Sequence, residues 1–369
     1  MNGKNKKIGL KDLGYSAYFE SAWKASGVDV FSVSRVISEY RGGYRIKNTT
    51  NEYSAKITGK QMFDAEYKED YPAVGDWVSI TESDAKHAII HKVLPRKTIL
   101  KRKAANKFDT QIIASNIDAA FIMQSVDRDF NLNRFDRYLT IVNEGNIKPV
   151  IVLNKIDLIS EPELNLKISQ VRSRFNDIDV FPTSAIADRG IRELTAFIKR
   201  GKTYCFLGSS GVGKSSIINN LLGKKILKTG SLSSLTGKGK HITARREMLF
   251  LKNGGIVIDT PGMRELGLAD SNTGIENVFN EISELLKNCK FANCTHTHEP
   301  GCAIHAAIKS GKLDEKKYAS YIKLKKEAGY YQMTMLDKRR NDRKFGKFIK
   351  DAKAHQKKYE LLKEGGDDN

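Results

Sequence analysis

A multidomain α/β chain is what the sequence predicts: a small N-terminal β-barrel, a central α/β domain with its landmarks in rotated order, and a mostly helical C-terminal segment stapled by a metal. Three observations carry this. Short alternating segments crowd residues 35–95, GSSGVGKS at 208–215 lies downstream of NKID at 154–157, and three cysteines and a histidine cluster within residues 289–302.

The N-terminal stretch Asp12 to Ala25 places apolar residues at near-helical spacing, and Tyr15, Tyr18, Phe19 and Trp23 are expected to pack over one end of the barrel. The barrel itself is read from Arg35–Ile37, Tyr44–Lys47, Tyr53–Thr58, Trp77–Ile80 and Ala88–Leu94, separated by Gly, Asn and Asp turns. Five short strands in about sixty residues suit a small closed barrel, and OB-folds of this size commonly bind nucleic acid. Arg96 to Lys107 then packs six cations into twelve residues, between barrel and α/β domain.

In the central domain, Thr203 to Leu207 reads as a buried strand and Ser215 to Leu222 as a helix, with GSSGVGKS between them. Strand, glycine-rich loop and helix N-terminus in that order form an anion cradle. Gly208, Ser209, Ser210, Gly211, Val212, Gly213 and Ser216 line it with backbone amides, Lys214 is assigned to the β and γ phosphates, and Ser215 to Mg²⁺. NKID follows the apolar run Val150 to Leu153. Guanine offers N1–H and an exocyclic amine as adjacent donors that one carboxylate accepts together, so Asp157 is the candidate base reader, with Asn154 bracing the loop and Lys155 lying over the base. Thr183-Ser184-Ala185 supplies the second element, in which the Ala185 amide is placed for guanine O6. DTPG at 259–262 follows Ile256–Ile258; Asp259 is expected to hold Mg²⁺ through water, and the Gly262 amide to meet the γ-phosphate. Thr243, in KGKHITARRE, is the hydroxyl placed for the other switch contact, and His241 beside it is a candidate catalytic helper. The order base, base, phosphate, switch one, switch two is a rotation of the usual GTPase order. The chain therefore leaves the domain just after switch two, and the segment beyond residue 270 is expected to lie mechanically closest to the γ-phosphate.

That next segment holds Cys289, Cys294, His296 and Cys302, three thiolates and an imidazole suited to one tetrahedral, structural Zn²⁺; His298 and His305 compete for the nitrogen position. Parity argues against disulfides, and nothing suggests secretion. Cys205, on the strand before the phosphate loop, reads as core.

These features together resemble the ribosome small subunit-dependent GTPase A family (RsgA, also called YjeQ) over roughly residues 35–345: the permuted motifs, the GKH stretch before Thr243, the Cys-x4-Cys-x-His-x5-Cys cluster, and Gly75-Asp76-Trp77-Val78. The resemblance implies an N-terminal OB-fold, a circularly permuted GTPase domain and a C-terminal zinc domain, acting late in assembly of the small ribosomal subunit. Family members commonly carry HTT where this chain has HIT at 241–243, which leaves the switch-one hydroxyl open. The expected divisions are 1–34, an extension; 35–97, the OB-fold; 98–270, the GTPase domain; 271–335, the zinc domain; and 336–369, a basic tail.

A formal net charge of +20 and pI near 9.6 favour a polyanionic partner. Lys338 to Lys358 sets ten basic residues against two acidic, with Phe345 and Phe348 interleaved. The N-terminus is polar and no apolar run nears the length of a membrane span, so a cytoplasmic monomer is expected that binds the small subunit and its rRNA, and no membrane. Met263 stands where many GTPases place a water-orienting glutamine, and a thioether cannot orient a nucleophile, so unaided GTP turnover to GDP is expected to be slow and the subunit to stimulate it. A GTP-switched RNA-binding module with little functional turnover is the alternative.

Overall fold

The computed structural model describes residues 8–25, 27, 31–103, 110–127, 130–227, 246–259, 271–296 and 299–332. A 3-10 turn, Leu10–Leu13, precedes helix α1, Ala17–Ala25. The single helical stretch expected over 12–25 is thus broken, because Gly14 adopts φ 89° and ends the first turn. Strands β1 (Ser32–Tyr40), β2 (Gly43–Lys47), β3 (Glu52–Ile57), β4 (Trp77–Glu82) and β5 (His87–Val93) come next, with the short helix α2 (Gly59–Asp64) between β3 and β4. β1 pairs with both β2 and β4, and β3 runs parallel to β5, so the order β1-β2-β3-β5-β4 closes into the expected barrel. β1 starts three residues ahead of Arg35. The period-two alternation sends Val36, Ile46, Tyr53, Ala55, Val78, Ile80, Ala88 and Ile90 inward. Leu13, Phe19, Trp77 and Leu94 form a separate buried cluster under α1, with Tyr15 edge-on to Trp77 at 4.8 Å. Tyr18 is the exception among the expected packing aromatics: it stays 42% exposed and donates its hydroxyl to the Arg96 carbonyl at 3.3 Å.

Part of the cationic stretch Arg96 to Lys107 forms a strand. β6 (Ile99–Lys103) pairs antiparallel with β7 (Thr110–Ser115), and Leu100 turns fully inward. Then come β8 (Ala119–Ser125), α3 (Leu132–Glu144), β9 (Lys148–Asn154), α4 (Glu161–Arg174), β10 (Val180–Thr183), α5 (Ile191–Phe197), β11 (Thr203–Leu207), α6 (Lys214–Leu222), β12 (Glu247–Phe250) and β13 (Ile256–Asp259). The order β10-β9-β8-β11-β13 is parallel throughout, with β12 antiparallel at the end. Strands covered on both faces need apolar residues at every position, and every residue of β8 and β11 is buried. Phe121, Met123, Phe206 and Val257 face α5 and α6 in one cluster, while Ile122, Cys205, Leu207 and Ile258 face the α3 side in another. Burial pushes the Cys205 thiol up to about 12, consistent with a core residue.

The C-terminal segment comprises α7 (Asn272–Val278), α8 (Asn280–Lys287), α9 (Ala303–Lys309) and α10 (Glu315–Gln332). It fastens onto α3. The Gly274 amide donates to Glu144 Oε2 at 2.7 Å, and Arg137 grips Glu327 of α10 through two bonds of 2.7 Å. Among the described residues no helix is long and apolar enough to cross a membrane.

The Gly75-Asp76-Trp77 run fixes the barrel to the α/β domain. The Gly75 carbonyl accepts from Arg35 Nε at 3.2 Å and from Asn116 Nδ2 at 3.1 Å, and Asp76 accepts from Ser115 Oγ at 2.5 Å while pairing with Arg96 at 2.8 Å. Burial lowers the Arg35 guanidinium to about 10, opposed by the carboxylates of Asp118 and Asp76, so it stays charged at neutral pH. Gly75 sits at φ 102°, and a Cβ there would stand 2.1 Å from the Ser115 carbonyl oxygen. Gly75→Ala is therefore expected to cost at least about 3 kcal/mol, from backbone strain plus overpacking, read as a fall in the denaturant midpoint.

Candidate functional site

The phosphate loop joins β11 to α6 at the C-terminal edge of the parallel sheet, the edge where open α/β sheets place their ligands. Gly208, Gly211 and Gly213 take φ of 150°, 83° and 101°, the curvature that lets successive amides converge. The Lys214 ammonium donates to the carbonyls of Gly208 and Ser209, both at 2.7 Å, which holds it at the mouth of the loop. Ser215 and Ser216 lie in the first turn of α6, which Lys214 opens. Arg134 of α3 approaches Ser209, Nη1 to Oγ 3.4 Å. Sequence reasoning did not find that contact, because a helix residue 75 positions upstream carries no local signal.

Asn154, the first residue of NKID, ends β9 immediately beside this loop. The Asn154 amide donates to the Val212 carbonyl at 2.7 Å and accepts from Thr183 Oγ1 at 3.1 Å, so one buried side chain ties both base-reading segments to the phosphate loop. The contact is close enough that a Cβ on Gly213 would stand 2.2 Å from Asn154 Nδ2. Lys155 adopts the left-handed conformation at φ 64°, an uncommon choice for a non-glycine residue that here turns the chain over the site. Asp157 is exposed, and Ser184 Oγ donates to its Oδ1 at 2.5 Å while accepting from the Ala187 amide at 3.0 Å. Ser184 thus orients the carboxylate. Asn220 of α6 donates to the Ala185 carbonyl at 2.8 Å and holds the second segment from below, a brace hidden in the sequence among helix-face residues.

Asp259 closes β13 opposite Glu247 of β12. Burial raises its carboxyl above the ordinary value, the Lys214 ammonium pulls it down, and Glu247 pushes it up. A half-buried carboxylate within the field of Lys214 is a hard-oxygen donor of the kind that Mg²⁺ takes, as is the Ser215 hydroxyl in the first turn of α6. His241, Thr243, Gly262 and Met263 lie outside the described residues, as do His298, the basic tail 336–369 and residues 104–107.

The structure brings Cys289, Cys294, His296 and Cys302 together, their ligand atoms all within 4.8 Å of one another. His296 Nδ1 lies 3.5 Å from Cys289 Sγ and 3.6 Å from Cys302 Sγ. Zn–S of ~2.3 Å and Zn–N of ~2.0–2.1 Å at tetrahedral angles give an S···N edge of about 3.6 Å, so the spacing fits zinc. His305 Nε2 instead donates to the His296 carbonyl at 3.0 Å, steadying that residue from outside the cluster. The ligands sit just past the end of α8 and just before α9.

A family model described as RsgA GTPase matches residues 93–269. The Small ribosomal subunit biogenesis GTPase RsgA 1 of Bacteroides thetaiotaomicron is 38% identical over 358 residues, 96% of this chain and 99% of that protein. The Small ribosomal subunit biogenesis GTPase RsgA 2 of Lactiplantibacillus plantarum is 40% identical over 316 residues, 85% of this chain and 89% of that protein. Among solved structures, YjeQ from Thermotoga maritima superposes with a TM-score of 0.60 at 26% identity, covering 80% of this chain and 98% of its own. YloQ, described as a circularly permuted GTPase, superposes with a TM-score of 0.59 at 23% identity, covering 82% and 97%, and shares the fold.

Proposed function

Because the chain belongs to the RsgA GTPase family, we propose that it hydrolyses GTP in the biogenesis of the small ribosomal subunit, releasing its grip on that subunit as it does so. The observation that carries the reading is the Asn154 bridge to Val212 and Thr183, which makes one rigid cradle of the base-reading and phosphate-binding segments. In that cradle Asp157, oriented by Ser184, accepts the two guanine donors. Lys214 moves from its loop carbonyls to the β and γ phosphates, and Ser215 and Asp259 are the groups that would hold Mg²⁺, which when bound neutralises phosphate charge. Cys289, Cys294, His296 and Cys302 would hold a closed, structural zinc that leaves no open position for chemistry. The barrel and the zinc segment are the surfaces we assign to ribosomal RNA, in keeping with the strongly basic charge, and the protein acts as a cytoplasmic monomer.

The test is GTP turnover with and without purified small subunits, at low and high salt. Stimulation of at least about 100-fold that fades as salt rises is expected. Turnover that ignores the subunit, together with equal release from it in GTP and in a non-hydrolysable analogue, would favour a ligand-switched binding module instead.

A further inference from the structure

Among the contacts between the barrel and the α/β domain, which include Lys101–Glu69 and the packing of Ile37 and Val74 into the main core, two differ sharply in character. One is the buried cluster of Arg35, Gly75, Asp76, Ser115 and Asn116, whose polar side chains are all under a tenth exposed. Buried, mutually satisfied polar groups of this kind open only at high cost. The other lies where β12 meets the β1–β2 hairpin. Ser38 pairs with Glu247 in the ladder, Arg246 Nη1 stands 3.2 Å from Glu39 Oε2, and Arg45 Nη1 stands 3.3 Å from Glu247 Oε1. Lys47 Nζ sits 5.8 Å above the ring of Phe250. Arg45 and Glu247 are 46% and 44% exposed, and an ion pair in that setting is weak, whereas Arg246, 14% exposed, shields its pair with the 38% exposed Glu39 more.

β12 also borders the cradle. It comes directly after the segment that carries His241 and Thr243, and its Glu247 faces Asp259 directly across the antiparallel pair. Residues opposite one another on such a pair share a face, so Glu247 stands between two fields, the Arg45 guanidinium of the barrel and the charge of the cradle. A change in cradle charge, as when a γ-phosphate and its cation come or go, alters how strongly Glu247 prefers Arg45. That is the differential interaction a nucleotide-driven shift requires.

We propose that this seam is a latch: the nucleotide state of the cradle sets the posture of the barrel through Glu247–Arg45 and Arg246–Glu39, while the Gly75–Ser115 contact serves as the hinge. The inference rests on the reading that the barrel grips RNA, and it assigns the coupling of that grip to four positioning side chains. The C-terminal segment is held on α3 by Arg137 and Glu327 and is not part of this seam. Two such pairs acting together bias an equilibrium by at most about thirtyfold.

The test uses the full chain and three variants, Glu39→Arg, Arg246→Glu and the double swap. Small-subunit affinity is measured with a GTP analogue and with GDP, alongside calorimetric nucleotide affinity. Each single variant is expected to pull the ratio of the two subunit affinities toward one while leaving GTP affinity unchanged, and the swap to restore it. A ratio that survives both single variants, or a swap that fails to rescue, overturns the latch. Spin labels at Lys56→Cys and Asn165→Cys read posture without RNA: a distance that shifts between GDP and the analogue, and stops shifting in Glu39→Arg, supports the latch. No shift in the otherwise native chain overturns it. A normal shift without any preference of the subunit for either nucleotide would count against the functional reading alone.

Discussion

Stripping zinc from the intact chain is expected to unfold the segment around residues 289–302 while the parallel sheet stays folded. Among the described residues, the stretch that the four ligands span makes few backbone contacts, Lys290 N to the Gly301 carbonyl at 3.1 Å and Cys294 N to the Phe291 carbonyl at 3.2 Å among them. Structural zinc supplies on the order of 10 kcal/mol to small modules of this kind, more than such contacts replace. Its loss frees the end of α8 and the start of α9, and Cys302, 4% exposed and packed in the main cluster, loses its anchor. Melting should therefore split into an early and a late step after chelation, where the loaded protein shows none of the early one. Thiol titration provides a second reading. Cys289, Cys294 and Cys302 become reactive on chelation, whereas Cys205, fully buried with its thiol pushed up to about 12, stays silent until the sheet unfolds. Cys289→Ser should reproduce the early step without chelator. A chain that carries no zinc after purification, or that melts identically with and without it, contradicts a structural metal at this cluster.

Asp157→Asn is the second change with a large expected effect. Ser184 holds the Asp157 carboxylate in one orientation at 2.5 Å, so the acceptor pair is set before nucleotide arrives. Replacing one acceptor with an amide donor sets N–H against the guanine amine and removes a charge-assisted pair, a loss of about 3–4 kcal/mol or roughly 10²–10³ in GTP affinity. The complementary base is xanthine, whose 2-oxo group accepts from that amide. Affinity for its triphosphate should rise as GTP falls, while the melting temperature stays put because Asp157 is exposed. A parallel loss for every nucleotide would instead point to a damaged loop.

Much of this architecture is legible in the sequence wherever the physics is local. Thr203–Leu207 and Ile256–Ile258 announce themselves because a strand covered on both faces must be apolar throughout, and the phosphate loop because only closely spaced glycines give that curvature. The barrel's five strands emerge from period-two alternation between turn residues. What sequence did not yield is long-range. Gly75 meets Ser115 forty positions away, Arg134 meets Ser209, Arg45 meets Glu247, and nothing in the flanking residues of either partner encodes the meeting. A dense run of cations also hid a strand: Lys101–Lys103 belong to β6, with one face of that strand turned inward through Leu100. Gly14 shows the same limit from the other side, since a helical apolar period continues across a residue whose backbone ends the turn.

A cradle that tells guanine from adenine is the premise on which GTP hydrolysis, the subunit's grip and the latch all depend. Isothermal calorimetry of GTP and of ATP into the full-length chain measures that directly. GTP should be held at least about 100-fold more tightly, with the preference lost in Asp157→Asn; ATP captured as tightly as GTP, or a preference untouched by that substitution, would contradict it.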